Sequence, residues 1–240
     1  PNTVLNTIVA ESLDYVASEL EKRVGKKPGA QKLQDTVKAL LKELVSKHRR
    51  IVFDGDNYSA KWREEAEHRG LPILDSAAEA LPVLKSKKAL DLFRKYKVLS
   101  NRELKARVEV FLEIYNTLVA IEARTMISML NTHVLPASLR FQTELAQTVA
   151  ATQATGLTCD ETVDQLETLI SMVQQLREAT EALAEAGSDA PGDLERHARH
   201  MREAVIPAMD RARQVSDRLE AIIPADLWSL PTYEEMLLAN

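Results

Sequence analysis

The spacing of apolar residues predicts helices along almost the whole chain. In residues 3–23 an apolar side chain returns every third or fourth position, which is typical of a helix with one buried face. A second helix of the same kind follows the break at Gly25 and Pro28, two residue types that helix interiors avoid. The stripes predicted to face inward are Val4, Leu5, Ile8, Val9, Leu13, Val16 and Leu20 in the first helix, and Leu33, Val37, Leu40, Leu41 and Leu44 in the second.

One short segment has the composition of a strand. The run Ile51–Phe53 is β-branched and aromatic and precedes the turn-like residues 54–57, so we predict a short β segment near residues 50–54. Ser59 is then placed to cap a short helix that ends at Gly70.

Three helix starts carry a Ser or Thr followed three residues later by Glu, a spacing that lets both side chains bind free amides of the first turn. The pairs are Ser76 with Glu79, Ser100 with Glu103, and Thr158 with Glu161. The second pair opens a long helix that Pro136 is predicted to end or kink, because proline has no backbone N–H to donate. The residues expected to face inward along it are Leu104, Val108, Phe111, Tyr115 and Leu118.

The last third of the chain predicts an antiparallel helical hairpin. Two segments, 160–187 and 193–223, repeat apolar positions by alternating steps of three and four, and a short loop with glycine and proline joins them. Pro207 is predicted to bend the second arm. The seam positions are Leu166, Leu169, Val173, Leu176, Thr180 and Leu183 on the first arm, and Leu194, Ala198, Met201, Val205, Ala208, Ala212, Val215, Leu219 and Ile222 on the second.

Composition supports the helical interpretation. With only 7 glycines and 5% aromatic residues, a sheet-rich fold is disfavoured, and the predicted class is an all-α helical bundle with the one β segment. The net charge of −5, with its acidic excess in the second half of the chain, argues against a nucleic-acid partner. No apolar run is long enough to span a membrane, and the single cysteine, Cys159, suits a reducing, cytoplasmic location.

The sequence contains no complete catalytic or cofactor motif. It has no glycine-rich phosphate loop and no CxxC or HExxH metal motif. Asp54, Asp56 and Glu65 are spaced like part of a calcium loop, but Tyr58 and Ser59 stand where a small oxygen ligand and the tight-turn glycine belong. We therefore interpret this segment as a plain turn.

His197, His200 and Glu203 repeat at steps of three on one predicted helix, a spacing that can bind a metal ion. They stand among arginines, and solvated helix surface is the favoured interpretation. Cys159 is followed by two carboxylates, which disfavour the reactive thiolate form. The sequence thus predicts no catalytic, cofactor-binding or metal-binding residue in this chain.

Long segments of the chain carry a family resemblance. They are PNTVLNTIVAESL (1–13), RRIVFDGDNYSAKW (49–62), ALDLFRKYKVLSNRELKARVEVFLEIYN (89–116), IEARTMISML (121–130) and LPTYEEMLL (230–238). Together they resemble the C-terminal region of type III glutamine synthetases, most weakly over residues 157–223. Lys105 and Val108 stand where that family often has His and Tyr, so no role of those side chains is carried over.

The resemblance implies that the chain is the helical C-terminal part of a larger cytoplasmic enzyme, which condenses glutamate and ammonia at the expense of ATP. ATP, Mg²⁺ or Mn²⁺ and the active-site residues would belong to a catalytic domain upstream of Pro1. Residues 1–134 would be the helical end of that domain, and residues 135–240 a further helical module. The implied partners are the upstream domain and other copies in stacked hexameric rings, with no nucleic acid and no membrane.

Two other interpretations stay open at this stage. One is a free-standing helical interaction module whose hairpin recruits a partner helix, and the other is a helical enzyme that holds a metal ion on the histidine group. The first helix distinguishes a complete module, which should bury its own stripe, from part of a larger enzyme, which should leave the stripe partly uncovered. The residues that would be uncovered are Val4, Ile8, Val9 and Leu13.

Overall fold

Helices make up most of the computed structural model, which describes residues 1–26, 28–188, 192–231 and 233–238. No strand occurs in these ranges, and the all-α prediction is confirmed. None of the helices in the same ranges is long and apolar enough to cross a membrane. The helices are α1 (Asn2–Val24), α2 (Ala30–His48), α3 (Ala60–His68), α4 (Ala77–Val83), α5 (Lys87–Lys95), α6 (Asn101–Met129), α7 (Leu135–Ala154), α8 (Asp160–Ser188), α9 (Leu194–His200), α10 (Ile206–Glu220) and α11 (Tyr233–Leu238).

The chain divides into two compact units, Pro1–Val108 and Glu109–Asn240, and α6 runs through the boundary. Each unit buries its own apolar side chains, among them Phe93 in the first and Leu219 in the second. The predicted division at residue 134 concerns the domains of a parent enzyme, not packing within this chain, and it stays a prediction.

In the first unit, α1 packs against α2 and is tied to the end of α5. Arg23 Nη2 donates to Glu43 Oε2 at 2.9 Å, which links the end of α1 to α2. Asp14 Oδ2 accepts hydrogen bonds from Tyr96 Oη at 2.6 Å and from Lys95 Nζ at 3.1 Å. These polar contacts fix the orientation of α1 about its own axis.

The β segment predicted near residues 50–54 is wrong. Residues Arg49–Ile51 form a 3-10 turn that continues α2, and Val52 is extended but has no neighbouring strand in the described part of the chain. A strand is stable only where its backbone groups pair with another strand. Here Arg69 Nη1, at the end of α3, donates instead to the carbonyls of Arg50 at 3.1 Å and Val52 at 2.7 Å.

The predicted helix starts are confirmed except for one. The Ser59 hydroxyl caps α3 by accepting from Trp62 N at 3.3 Å. The capping box at Ser100 forms in both directions, since Glu103 N donates to the Ser100 hydroxyl and Ser100 N donates to the Glu103 carboxylate. At Ser76 the hydroxyl caps α4 by accepting from Glu79 N, whereas the Glu79 carboxylate accepts from that hydroxyl. The box predicted at Thr158 is wrong, because α8 begins one residue later and the Cys159 carbonyl accepts its first helical hydrogen bonds.

Neither mid-helix proline ends its helix. α6 continues into α7 through a π-turn at Leu130–Val134, and α9 continues into α10 through a second π-turn at Met201–Val205. Each π-turn ends two residues before a proline, Pro136 or Pro207. Proline has no backbone N–H and cannot donate the regular i→i−4 hydrogen bond. The wider π-turn accommodates the proline, so the helix continues past it.

The buried face of α6 differs from the predicted one. Phe111 and Leu118, expected to face inward, are 48% and 54% exposed. The reason is that α6 has apolar residues on two faces, so its periodicity fits two stripes that diverge after Val108. The residues actually buried are Leu104, Val108, Leu112, Asn116, Val119 and Ala123.

The hairpin prediction is confirmed. α8 packs against α10 and the preceding π-turn, and α7 also packs against α8. His200 Nε2 lies 2.8 Å from the Ala186 carbonyl near the loop, and Arg218 Nη2 donates to Gln175 Oε1 at 2.9 Å toward the other end, so the arms are antiparallel. Residues 189–191 of the predicted loop lie outside the described residues. The seam residues at full burial are Leu169, Leu176 and Leu183 on α8, and Ala198, Met201, Val205, Ala208, Ala212 and Leu219 on the second arm.

Candidate interaction surface

The residues weighed for metal chemistry are not brought together. Within the described ranges, no three or more His, Cys, Asp or Glu side chains converge on a point where they could hold a metal ion. His200 Nε2 is engaged by the Ala186 carbonyl, and Glu203 is exposed. His197 Nε2 is buried and has no hydrogen-bond partner in the described part of the chain. The predicted absence of site residues stays a prediction.

The acidic turn after residue 53 is held by its own local contacts. Asp56 Oδ1 accepts from Tyr58 N at 2.9 Å, the pattern of an Asx turn. Glu65 Oε1 accepts from Arg69 Nε at 2.6 Å, and this guanidinium lowers the pKa of the Glu65 carboxyl. Cys159 is half-buried, with its Sγ 4.0 Å from the Val149 carbonyl.

An apolar surface is exposed on α1, α2 and the turn that follows them, and we call it the N-terminal apolar face. On α1 the expected stripe is uncovered at three of its four named positions, and Leu13 is 65% exposed. Val4 is half-buried. Contiguous apolar surface of this kind marks a site of interaction more often than a feature of a free monomer. The face comprises Leu5, Ile8, Val9, Leu13, Leu41, Val45, Ile51 and Val52.

A groove of about 540 Å³ lies between α1, α2 and the turn that follows α2. Tyr15 and Val16 form one wall, and Val45 and Val52 are on the other. Ile8 lies one helical turn before the groove residues on α1, so the apolar surface continues from the groove toward the start of that helix. The groove thus gives the N-terminal apolar face a concave centre.

A second uncovered surface runs along α6 in the second unit, and we call it the α6 stripe. From Phe111 onward its members recur at steps of three and four, which places them along one side of the helix, and Val110 widens the stripe at its start. They are Val110, Phe111, Ile114, Leu118 and Ile121, each between 46% and 54% exposed. A pocket of about 500 Å³ adjoins the later end of the stripe, with Ile121, Thr125, Met129, Trp228 and Leu230 among its lining residues.

The sequence contains a signal for the α6 stripe that the periodicity argument missed. A helix that is apolar on one side needs one neighbour, whereas a helix apolar on two sides must be covered on both. Ile114 and Ile121 stand outside the buried set and have no place in a single-faced helix. Their presence indicates a second contact surface.

Comparison with known proteins gives consistent matches. Residues 36–153 match the family model described as glutamine synthetase C-terminal domain. A type-3 glutamine synthetase from Dictyostelium discoideum is 34% identical over 99% of this chain and 33% of its own length. A glutamine synthetase from Butyrivibrio fibrisolvens is 30% identical over 86% of this chain and 30% of its own length.

A third relative, a glutamine synthetase from Bacteroides fragilis, is 26% identical over 98% of this chain and 33% of its own length. The chain therefore spans about a third of the length of the curated relatives it matches.

Proposed function

Because the chain is homologous to the C-terminal region of type III glutamine synthetases, we propose that it is the helical brace and assembly region of such an enzyme. The parent would be cytoplasmic and would condense glutamate and ammonia at the expense of ATP. ATP and Mg²⁺ or Mn²⁺ would bind in the two thirds of the parent that this chain does not match. The chain itself would supply contacts to that catalytic part and to other copies.

The N-terminal apolar face is the observation that carries this proposal. Its leucine, isoleucine and valine side chains stand in water, and covering each of them contributes on the order of 1 kcal/mol. A free-standing module would gain that free energy only by burying the face itself. A region of a larger enzyme leaves such a face for its neighbour to cover.

The polar contacts of α1 suit the role of a docking surface for the rest of the enzyme. The side chains of Asp14 and Arg23 hold α1 on the end of α5 and on α2 through hydrogen bonds. The stripe is thereby presented on a fixed helix, with the groove beside Tyr15 as its centre. A rigid, concave apolar surface is what a docking element of a catalytic domain would require.

The alternative of a free-standing module that recruits a helix through its hairpin has less support. The seam it would use is filled by the hairpin's own second arm, since Leu169, Leu176 and Leu183 are all at most 1% exposed. A partner helix would have to displace that arm.

The test compares two leucines in the full-length protein that contains this chain. Leu13 on the N-terminal apolar face and Leu157 before α8 are 65% and 67% exposed, so Leu13→Gln and Leu157→Gln remove matched side chains. We expect Leu13→Gln to lower glutamate- and ammonia-dependent ATP hydrolysis about three- to tenfold and to reduce assembly, because 1 kcal/mol is a factor of about five. Leu157→Gln should change neither.

Two results would count against the proposal. One is that the Leu13→Gln protein keeps full activity and assembly, as the Leu157→Gln control does. The other is glutamate- and ammonia-dependent ATP hydrolysis by residues 1–240 alone, since this chain would then hold the active site.

A further inference from the structure

The α6 stripe presents apolar side chains on a helix whose opposite side is already buried. Leu112, Val119 and Ala123 of α6 lie in the core, while Phe111, Ile114 and Leu118 face outward. The stripe from residue 110 to residue 121 is about 16 Å long, from the rise of 1.5 Å per residue. It is therefore the length of a helix–helix crossing.

The charges beside the stripe are self-complementary. Glu113 and Arg124 are both exposed and lie eleven residues apart, which is three helical turns, so they flank the same edge of the stripe. Arg124 Nε donates to the Ala120 carbonyl at 3.2 Å, which holds the guanidinium along the helix. Leu118 lies within one residue of the midpoint between the two charges. A two-fold axis at Leu118 therefore places Glu113 of one copy beside Arg124 of the other, twice.

The shape of the surface fits the same axis. A two-fold axis at Leu118 brings Ile114 to within one residue of Ile121 of the second copy, so apolar residues meet along the stripe. It also brings Phe111 opposite Thr125, one of the residues that line the 500 Å³ pocket. An exposed aromatic side chain and a pocket four turns further along the same helix can then fill each other in both directions.

From these two relationships we infer that the α6 stripe binds the α6 stripe of a second copy of this chain in antiparallel orientation, with Leu118 at the two-fold axis. The inference deepens the assembly role proposed above and rests on it for its setting in a larger enzyme. The contact is one of several that an oligomer needs, because a single helix crossing buries less surface than a stable dimer requires.

A disulfide test locates the axis. In the full-length protein with Cys159→Ser, Leu118→Cys places two thiols at the proposed axis, whereas Ile114→Cys places them about four residues away on opposite sides. We expect mild oxidation to convert at least five times more Leu118→Cys protein than Ile114→Cys protein to a covalent dimer on a denaturing gel. Equal cross-linking at both positions would indicate a parallel pair and would overturn the inference.

A charge exchange tests the partner. Glu113→Arg should lower the Leu118→Cys cross-linking yield about five- to tenfold, because it places two like charges at each end of the contact. Adding Arg124→Glu to the same protein should restore the yield. A double variant that stays as low as the single variant contradicts the pairing.

Thiol labelling shows what covers the α6 stripe if a second copy does not. If Leu118→Cys does not cross-link and reacts fully with a maleimide, the stripe is free in the assembled protein. If it neither cross-links nor reacts, the rest of the parent chain covers it. Both outcomes overturn the inference, and neither bears on the Leu13→Gln activity result, so failure of this contact and failure of the proposed function are distinguishable.

Discussion

Arg69 Nη1 donates to the Val52 carbonyl at 2.7 Å, across seventeen residues of the chain. The same atom donates to the Arg50 carbonyl at 3.1 Å, so one side chain satisfies two acceptors that a strand would offer to its neighbour. The guanidinium also lies 5.8 Å from the centre of the Trp62 ring. This arrangement allows an apolar, β-branched segment to exist in an all-helical unit without a sheet.

Arg69→Ala should destabilise the turn after α2. Two carbonyls lose their donor, and we expect a cost of about 1–3 kcal/mol in local stability. Hydrogen exchange of the amides in residues 49–54 would measure it. Arg63→Ala is the control, because Arg63 forms an exposed ion pair with Asp75, and such pairs contribute about 0–1 kcal/mol. Equal protection in both variants would show that Arg69 does not hold the segment.

The Asp14 contact makes the packing of α1 on α5 sensitive to acid. The Tyr96 hydroxyl, followed by the Lys95 ammonium, lowers the pKa of the Asp14 carboxyl below its ordinary value of 3.8. A carboxyl whose folded pKa is lowered stabilises the fold fully above its unfolded pKa, and this contribution is lost as the pH falls through the lowered value. We expect α1 to loosen below that pH, as measured by hydrogen exchange.

The same contact predicts a loss at high pH. Asp14 raises the pKa of Tyr96 above its ordinary value of 10.0, so the contribution is complete below pH 10 and is lost as the pH rises through the raised value. Asp14→Asn should remove both the acid and the alkaline dependence. Asp91→Asn, at an exposed carboxylate on α5, should leave both unchanged. A pH profile of the Asp14→Asn protein that matches the unaltered one would refute the assignment.

Leu176 tests the hairpin seam. It is 1% exposed, and Leu176→Asp would bury an unpaired carboxylate, at a cost of at least about 3 kcal/mol. Ile170 lies on the same helix but is 45% exposed, and Ile170→Asp should cost less than about 1 kcal/mol. Chemical denaturation followed by circular dichroism gives both values. Similar midpoints for the two variants would mean that the seam is misplaced.

The π-turn at Met201–Val205 predicts an unusual tolerance to deletion. A π-turn holds one residue more than the α-helical turn it replaces, so removing Ala204 in a protein that also carries Pro207→Ala should restore regular helix while the flanking segments keep their buried faces. Removing Arg211 from the regular part of α10 should rotate the residues after it by about 100° and expose Leu219. We expect cooperative thermal unfolding to survive only the first deletion, and its survival in both would contradict the packing.

Periodicity alone predicted α1, α2, the long helix α6 and the pairing of α8 with α9 and α10. In the hairpin, the seam residues of each arm recur at steps of three and four without a break, so pairing the two arms buries them, as Leu176 and Leu219 show. Capping chemistry likewise fixed the starts of α3, α4 and α6, because the bonds that Ser59, Ser76 and Ser100 make are local.

Tertiary structure decided what local pattern leaves undetermined. Whether Val52 joins a strand depends on a distant donor, Arg69, and whether Phe111 or Leu112 is buried depends on which side of a two-faced helix meets the core. The uncovered state of Leu13 is also invisible to periodicity, since a buried and an exposed apolar stripe have the same spacing. The sequence specifies which side chains are apolar and therefore favour burial. Only the packed chain shows which of them have a neighbour that buries them.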